Sequence, residues 1–270
     1  MTIDGIARSR GAKFPSHGMS RSRLQEIRKY SRDRLSAFVD DELAVLGEDE
    51  ALALLANPFV DTAVLQKVAN TPRLVAFYSV RLRLVAHRAT PQAHAVKLVH
   101  YLHWADLLRL SMEVQVPATT RRAIDTQLLQ RLGKLSLGEK IGSAKRCSSA
   151  LIKALLFDPD PKVFAALLLN QRVREDDLVH FAGSDRASPE QLRMLASDGK
   201  WSYRYAIRKA LVLNPLTPRA AAASQLRFLS TRDLQQIHRN PSTSVYLRRC
   251  IERLGGSAAK ETASDRGEQA

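Results

Sequence analysis

The sequence predicts an all-α fold, a single curved solenoid of about five or six helical hairpins. Three observations carry this: a long internal duplication, a shorter repeat nested within it, and helix-start chemistry at the connections. Sliding the chain over itself by 127 residues without a gap pairs Leu65 with Leu192, Ala69 with Ala196, Tyr78 with Tyr205 and Arg81 with Arg208. The pairing continues through Leu84-Val85 with Leu211-Val212, Thr90-Pro91 with Thr217-Pro218, and Leu102 with Leu229. It ends on Asp106-Leu107 with Asp233-Leu234 and Arg121-Arg122 with Arg248-Arg249.

The shorter repeat is an apolar residue, usually Arg, two variable positions and an aliphatic residue, as in Val80-Arg81 to Leu84. Its other copies are Thr120-Arg121 to Ile124, Val163 to Leu167 with Phe164 at the Arg place, Ile207-Arg208 to Leu211, and Leu247-Arg248 to Ile251. The spacings of 40, 43, 44 and 40 residues match one hairpin of a helical array, and the long duplication spans three of them. At the connections, Thr90-Pro91, Ser188-Pro189 and Thr217-Pro218 each offer a hydroxyl to cap a helix and a proline for its first position. Ser136 with Glu139 and Ser188 with Gln191 are spaced as capping boxes. Asp198-Gly199, between two predicted helices, reads as a loop.

These residues resemble the leucine-rich variant repeats, a HEAT-like group of bacterial solenoids. The resemblance rests on DPDPKVFAALLLNQRV, SPEQLRMLAS, YAIRKALVLNPLTPRAAAASQL and HRNPSTSVYLRRCIERL, with Asp160-Pro161 before Val163, Asn214-Pro215 followed by Thr217-Pro218, and Asn240-Pro241 as its marks. It is clearest from Asp158 to Leu254; in the earlier copy His87-Arg88 stands where Asn-Pro is expected. It implies a right-handed stack of short helices that works by surface binding. Some relatives carry an N-terminal cysteine cluster for iron and sulfur; this chain has only Cys147 and Cys250, so that activity is not carried over. Cys250, paired with Ala123 by the duplication, reads as a small packing residue.

Outside the repeats, residues 1–22 read as a mobile basic arm, since they lack the apolar surface that would offset the entropy of ordering. Residues 255–270 read as a disordered tail and 23–254 as the solenoid. The N-terminus lacks an apolar leader core and no stretch approaches a membrane span, so the reading is cytoplasmic.

Charge directs attention to partners. Forty-two Lys and Arg against 27 Asp and Glu give +15, a field that attracts acidic partners. Sequence patterns for phosphate loops, dinucleotide folds, zinc proteases and serine hydrolases are missing, and no cofactor is implied. His87, His94, His100 and His103 cluster, but the second copy has Ala221, Arg227 and Ser230 at the last three places, and no further ligand completes a metal set. Asp106 and Asp233 read as first-turn acids that favour a helix N-terminus.

Arg81, Arg121, Arg208 and Arg248 precede a core aliphatic by three positions and should border the buried stripe, bracing neighbouring units. Arg122 and Arg249 should face solvent, and Arg204, Arg208 and Lys209 extend a positive strip near Trp201, Tyr203 and Tyr205. The candidate binding residues are therefore Arg122, Arg204, Arg208, Lys209 and Arg249. The function expected is that of a non-enzymatic scaffold or adaptor for a protein or peptide partner of acidic character. The alternative is sequence-tolerant nucleic-acid binding through the basic face.

Overall fold

A computed structural model describes the backbone of residues 17–255 and the side chains of 21–255. Most of the expected arm and tail lies outside these residues, but helix α1 (His17–Ile27) begins inside the expected arm. Every regular element among the described residues is an α-helix, as the caps and apolar spacing predict. None of these helices is long and apolar enough to cross a membrane. The chain divides into two compact units, Met1–Gln127 and Leu128–Ala270, a division that the repeat pattern did not predict.

The first unit holds α1, α2 (Arg32–Glu42), α3 (Glu48–Leu55), α4 (Thr62–Ala69), α5 (Pro72–Val75), α6 (Tyr78–Ala86), α7 (Gln92–Val99), α8 (Trp104–Leu110) and the start of α9 (Ala118–Leu132). Helix α3 packs on α1 and on α6, α2 on α4, and α6 on α7. Leu54, Leu65, Leu74 and Leu84 are wholly excluded from water, each worth about 1.5–3 kcal/mol of transfer energy. In α4 the buried residues are Val64, Leu65 and Val68, one stripe of a 3.6-residue helix. Asp61 begins that helix by accepting from the Val64 N–H at 3.0 Å, and this bond holds its carboxyl below the ordinary range.

The second unit continues with α10 (Leu137–Lys145), α11 (Ser149–Leu155), α12 (Pro161–Leu168), α13 (Glu175–Ala182), α14 (Pro189–Ser197), α15 (Tyr205–Leu213), α16 (Arg219–Leu226), α17 (Thr231–Arg239) and α18 (245–255). Alternate helices pack together: α10 on α12, α12 on α14, α14 on α16, and α13 on α15. Val212, Ala222, Leu226, Leu229, Ile237, Leu247 and Ile251 form one cluster in this unit, with Cys250 packed at its edge, the packing role expected of that cysteine.

Two sequence expectations change in detail. The short repeat places Val80, Thr120, Val163, Ile207 and Leu247 on α6, α9, α12, α15 and α18, so each interval holds three short helices rather than one hairpin. The reason is local: Ser148 and Ser230 each accept from the first turn of a helix and start helices that the proline signals alone do not reveal. Ser136 and Ser188 form the predicted capping boxes, whereas Thr90 and Thr217 do not cap. Prolines 91 and 218 occupy the cap positions of α7 and α16, and the buried Thr90 hydroxyl instead donates to the Leu84 carbonyl at 2.6 Å. A helix-end carbonyl is satisfied in place of a helix-start N–H.

Asparagines tie helix ends to one another. Asn57 donates to the carbonyls of Ile27 at 2.8 Å and Tyr30 at 3.0 Å, Asn170 to Ala144 at 2.8 Å, and Asn214 to Ala182 at 2.6 Å and Ser184 at 2.9 Å. Each side-chain oxygen also accepts from the N–H two residues on, an Asx turn that ends the helix. One buried side chain thus closes its own helix and fastens the end of another.

Candidate functional site: the basic surface of the second unit

Basic charge is distributed unevenly between the units. Residues 1–127 contain eighteen Lys and Arg against thirteen Asp and Glu, while residues 128–270 contain twenty-four against fourteen. Four of the predicted binding residues, Arg204, Arg208, Lys209 and Arg249, lie in the second unit, and Arg122 lies in the first.

The strip around α15 is built by a turn and two packed helices. Asp198 accepts from the N–H groups of Lys200 at 2.8 Å and Trp201 at 3.0 Å, forming the predicted loop after α14. Trp201 is buried and its indole donates to the Leu168 carbonyl at 3.4 Å. Beyond this anchor, Arg204 starts α15 and Arg208 and Lys209 follow on its next turn. Since α15 packs on α16, Arg208 reaches Phe228, with its guanidinium 3.8 Å from the ring centre. Arg227 stands 4.7 Å from the same ring, Arg204 5.3 Å from Tyr203, and Lys200 4.4 Å from Trp201. Tyr203, Tyr205 and Phe228 are exposed. The result is a run of cations set against aromatic rings, each contact worth about 0.5–1 kcal/mol where exposed.

The five predicted residues differ in how they are held. Arg249 and Arg122 are exposed, as predicted. Arg204 is loosely paired with Glu175 at 3.8 Å. Lys209 is bound to Asp233 at 2.9 Å, and the Arg208 Nε donates to the Ser202 carbonyl at 2.7 Å. Arg208 shares that arrangement with two other repeat arginines: Arg81 donates to Ala76 at 3.4 Å, and Arg248 to Asn240 and Pro241 at 3.1 and 3.0 Å. These residues brace the loop ahead of their own helix, where the sequence had suggested neighbouring units.

Beside the strip is a contact that sequence reasoning missed. Tyr205 donates to the Asp233 carboxylate, and its hydroxyl oxygen accepts from the Ser230 N–H at 3.1 Å. The first unit repeats this with Tyr78 on Asp106 and the His103 N–H at 3.1 Å. The Tyr205 hydroxyl, followed by Lys209, holds the Asp233 carboxyl below its ordinary range. In the first unit, burial and then the Asp106 carboxylate push the Tyr78 hydroxyl upward. Both aspartates are the first-turn acids that the sequence predicts, and the tyrosines make each a clasp between two helices. The signal was present, since all four residues recur under the 127-residue shift. Phe228 was missed because it lies twenty residues from Arg208 in sequence, although Tyr101 keeps an aromatic at the equivalent place. Compared with family models, curated proteins and solved structures, the chain matches none.

Proposed function

We propose that this chain is a non-enzymatic α-solenoid scaffold that binds an acidic protein or peptide through the basic, aromatic-bearing surface of its second unit. The carrying observation is the set of cations against the exposed rings of Tyr203 and Phe228, beside Lys200 on the buried Trp201, in the unit with the larger surplus of basic residues. The alternate packing of α10, α12, α14 and α16 supports a stacked, HEAT-like arrangement there. The resemblance to leucine-rich variant repeats agrees with it, and a cytoplasmic setting is part of the same reading.

A protein partner is favoured over nucleic acid by what accompanies the charge. Leu169, Leu213, Leu216 and Val245 are exposed in the same unit, and a phosphate backbone offers nothing apolar to cover them. Arg208 and Arg227 also crowd the Phe228 ring, which leaves less of its face for a base to stack upon. An amphipathic acidic segment can neutralise the cations and cover the aliphatic side chains together.

The test is fluorescence anisotropy with the full chain and two labelled probes of equal net charge, an amphipathic peptide rich in Asp, Glu and Leu, and a single-stranded oligonucleotide. The peptide is expected to bind more tightly, and Arg204→Glu should weaken it. Tighter oligonucleotide binding with a steep salt dependence would replace this reading with the nucleic-acid one.

A further inference from the structure

The asparagine ties reveal a vacancy in the first unit. The 127-residue correspondence extends back to Glu48-Asp49 on Glu175-Asp176, so α3 corresponds to α13. Ala182, Ser184 and Asn214 in the second unit then correspond to Leu55, Asn57 and His87 in the first. Asn214 spends its NH2 group on the carbonyls of Ala182 and Ser184 and its oxygen on the Leu216 N–H. His87 keeps only the last of these, accepting at Nδ1 from the Ala89 N–H at 3.2 Å. With Nδ1 an acceptor, a neutral imidazole has a single N–H left, and it cannot reproduce a double donation.

A cleft of about 370 Å³ lies here, lined by Leu55, Asn57, Arg83, His87, Arg88 and Glu113 among others. The residues around it diverge between the copies: Arg83, Arg88 and Glu113 stand where the second copy has Ala210, Pro215 and Asn240. So the tie is lost and the polar surroundings are altered at the same place, while Leu84, Val85, Thr90 and Pro91 beside it are unchanged from Leu211, Val212, Thr217 and Pro218.

We propose that this cleft binds a primary carboxamide, the side chain of an Asn or Gln of a partner polypeptide, in the place that Asn214 fills from within in the second unit. The ligand NH2 donates to the Leu55 and Asn57 carbonyls, and its oxygen accepts from Arg83 or Arg88. Asn57 already receives the Val60 N–H at 3.2 Å, and a carbonyl oxygen has a second lone pair to offer. A carboxylate fits worse, because it brings no donor and would meet the negative end of α3 together with Glu113. An ammonium group fits worse for the opposite reason, since Arg83 and Arg88 repel it. Burial and those two arginines hold the His87 ring below the ordinary histidine range, which keeps it neutral beside a neutral ligand. This inference concerns the first unit and does not depend on the basic surface of the second.

The experiment titrates the full chain with N-acetyl N-methylamides of asparagine, glutamine, aspartate and leucine, following the His87 imidazole by NMR. Asparagine or glutamine should bind about tenfold more tightly than aspartate or leucine, the scale of a hydrogen-bonded group against one that leaves donors or acceptors unmet. Equal or tighter binding of aspartate would overturn the proposal in favour of an anion site, and binding of none of the four would overturn it outright. A second arm uses His87→Asn, which should fill the cleft from within, raise the melting temperature and abolish binding of the asparagine probe. Unchanged melting with unchanged binding would also overturn the proposal. Should that variant fail to fold, the discrimination among the four probes by the parent chain still decides.

Discussion

Tyr78, Arg81, Leu84 and Asp106 in the first unit stand at the places of Tyr205, Arg208, Leu211 and Asp233 in the second, yet the two units present different surfaces. The first has the smaller basic surplus and contains a polar cleft at a missing asparagine; the second has the larger surplus and keeps the asparagine. What recurs is what holds helices together: the aliphatic stripe, the tyrosine–aspartate clasp and the arginine bracing a loop. What diverges includes the surface and the cleft, and also some core positions, as where Val64 and Leu74 correspond to the buried Gln191 and Trp201. A duplicated chain thus separates structural demands from the rest without any other sequence to compare, because both copies face the same packing problem and need not face the same ligand.

The strongest way to break this comparison is at the shared core. Leu84 and Leu211 are both wholly buried, so Leu84→Ala and Leu211→Ala should each cost on the order of 2–5 kcal/mol through lost transfer energy and a cavity. Urea unfolding of each variant measures this. A large cost at one and none at the other would show that the recurrence is not structural.

The clasp comes next. Tyr78→Phe removes a hydrogen bond to a carboxylate at a partly buried position and should cost about 1.5–3 kcal/mol. Tyr205 is more exposed and its aspartate keeps Lys209, so Tyr205→Phe should cost less. Thermal melts of the two variants rank them, and the reverse order would mean that the clasp is weighted toward the basic unit.

How far all this could be read from sequence depends on the range of each interaction. The all-α class, the capping boxes at Ser136 and Ser188, buried Leu84 and Leu211, and exposed Arg122 and Arg249 follow from spacings of two to four residues, and they were legible. The three short helices per interval were not, because a cap such as Ser148 looks like any loop residue until its N–H partner is known. The partners Phe228 and Tyr205, and the double donation of Asn214, lie twenty to thirty-two residues from what they touch. No local pattern encodes them. The substitution of His87 for asparagine was visible in sequence, but its consequence, a cleft, required the positions of Leu55 and Asn57.

The pH dependence sharpens the comparison further. Asp233 has its folded-state pKa lowered by Tyr205 and Lys209, so it contributes stability that is present above the unfolded value, about 3.9, and lost as pH falls through the folded one. Asp233→Asn should therefore flatten the acid limb of stability against pH. His87 acts in the neighbouring window, where it goes from neutral to positive as the aspartate goes from negative to neutral. Its folded pKa is also lowered, by burial and by Arg83 and Arg88, so the unfolded chain takes up the proton first and stability falls as pH drops below about 6.5. His87→Asn should remove that loss between about pH 7 and 5. Denaturant midpoints across pH for the parent and both variants test the assignments; an unchanged profile in either variant would remove its group from the account.

The smallest expected effect on stability is also the one that separates partners. Arg122 and Arg249 are equivalent under the duplication and both exposed, so reversing either charge should leave stability within about 0.5 kcal/mol of the parent. Their surroundings differ, since Arg249 belongs to the unit with the larger surplus of basic residues and Arg122 to the one with the smaller. If an acidic peptide binds the second unit, Arg249→Glu should weaken it while Arg122→Glu leaves it nearly unchanged. The weakening should fade as salt screens the charge over about 8–10 Å. If nucleic acid is bound instead, Arg249→Glu should weaken all sequences alike and reduce the slope of log affinity against log salt by about one for a lost phosphate contact. Isotherms at several salt concentrations, with a melting curve for each variant, distinguish these outcomes. Equal weakening by both substitutions would mean that the partner uses both units, and the contrast drawn between their surfaces would no longer explain binding.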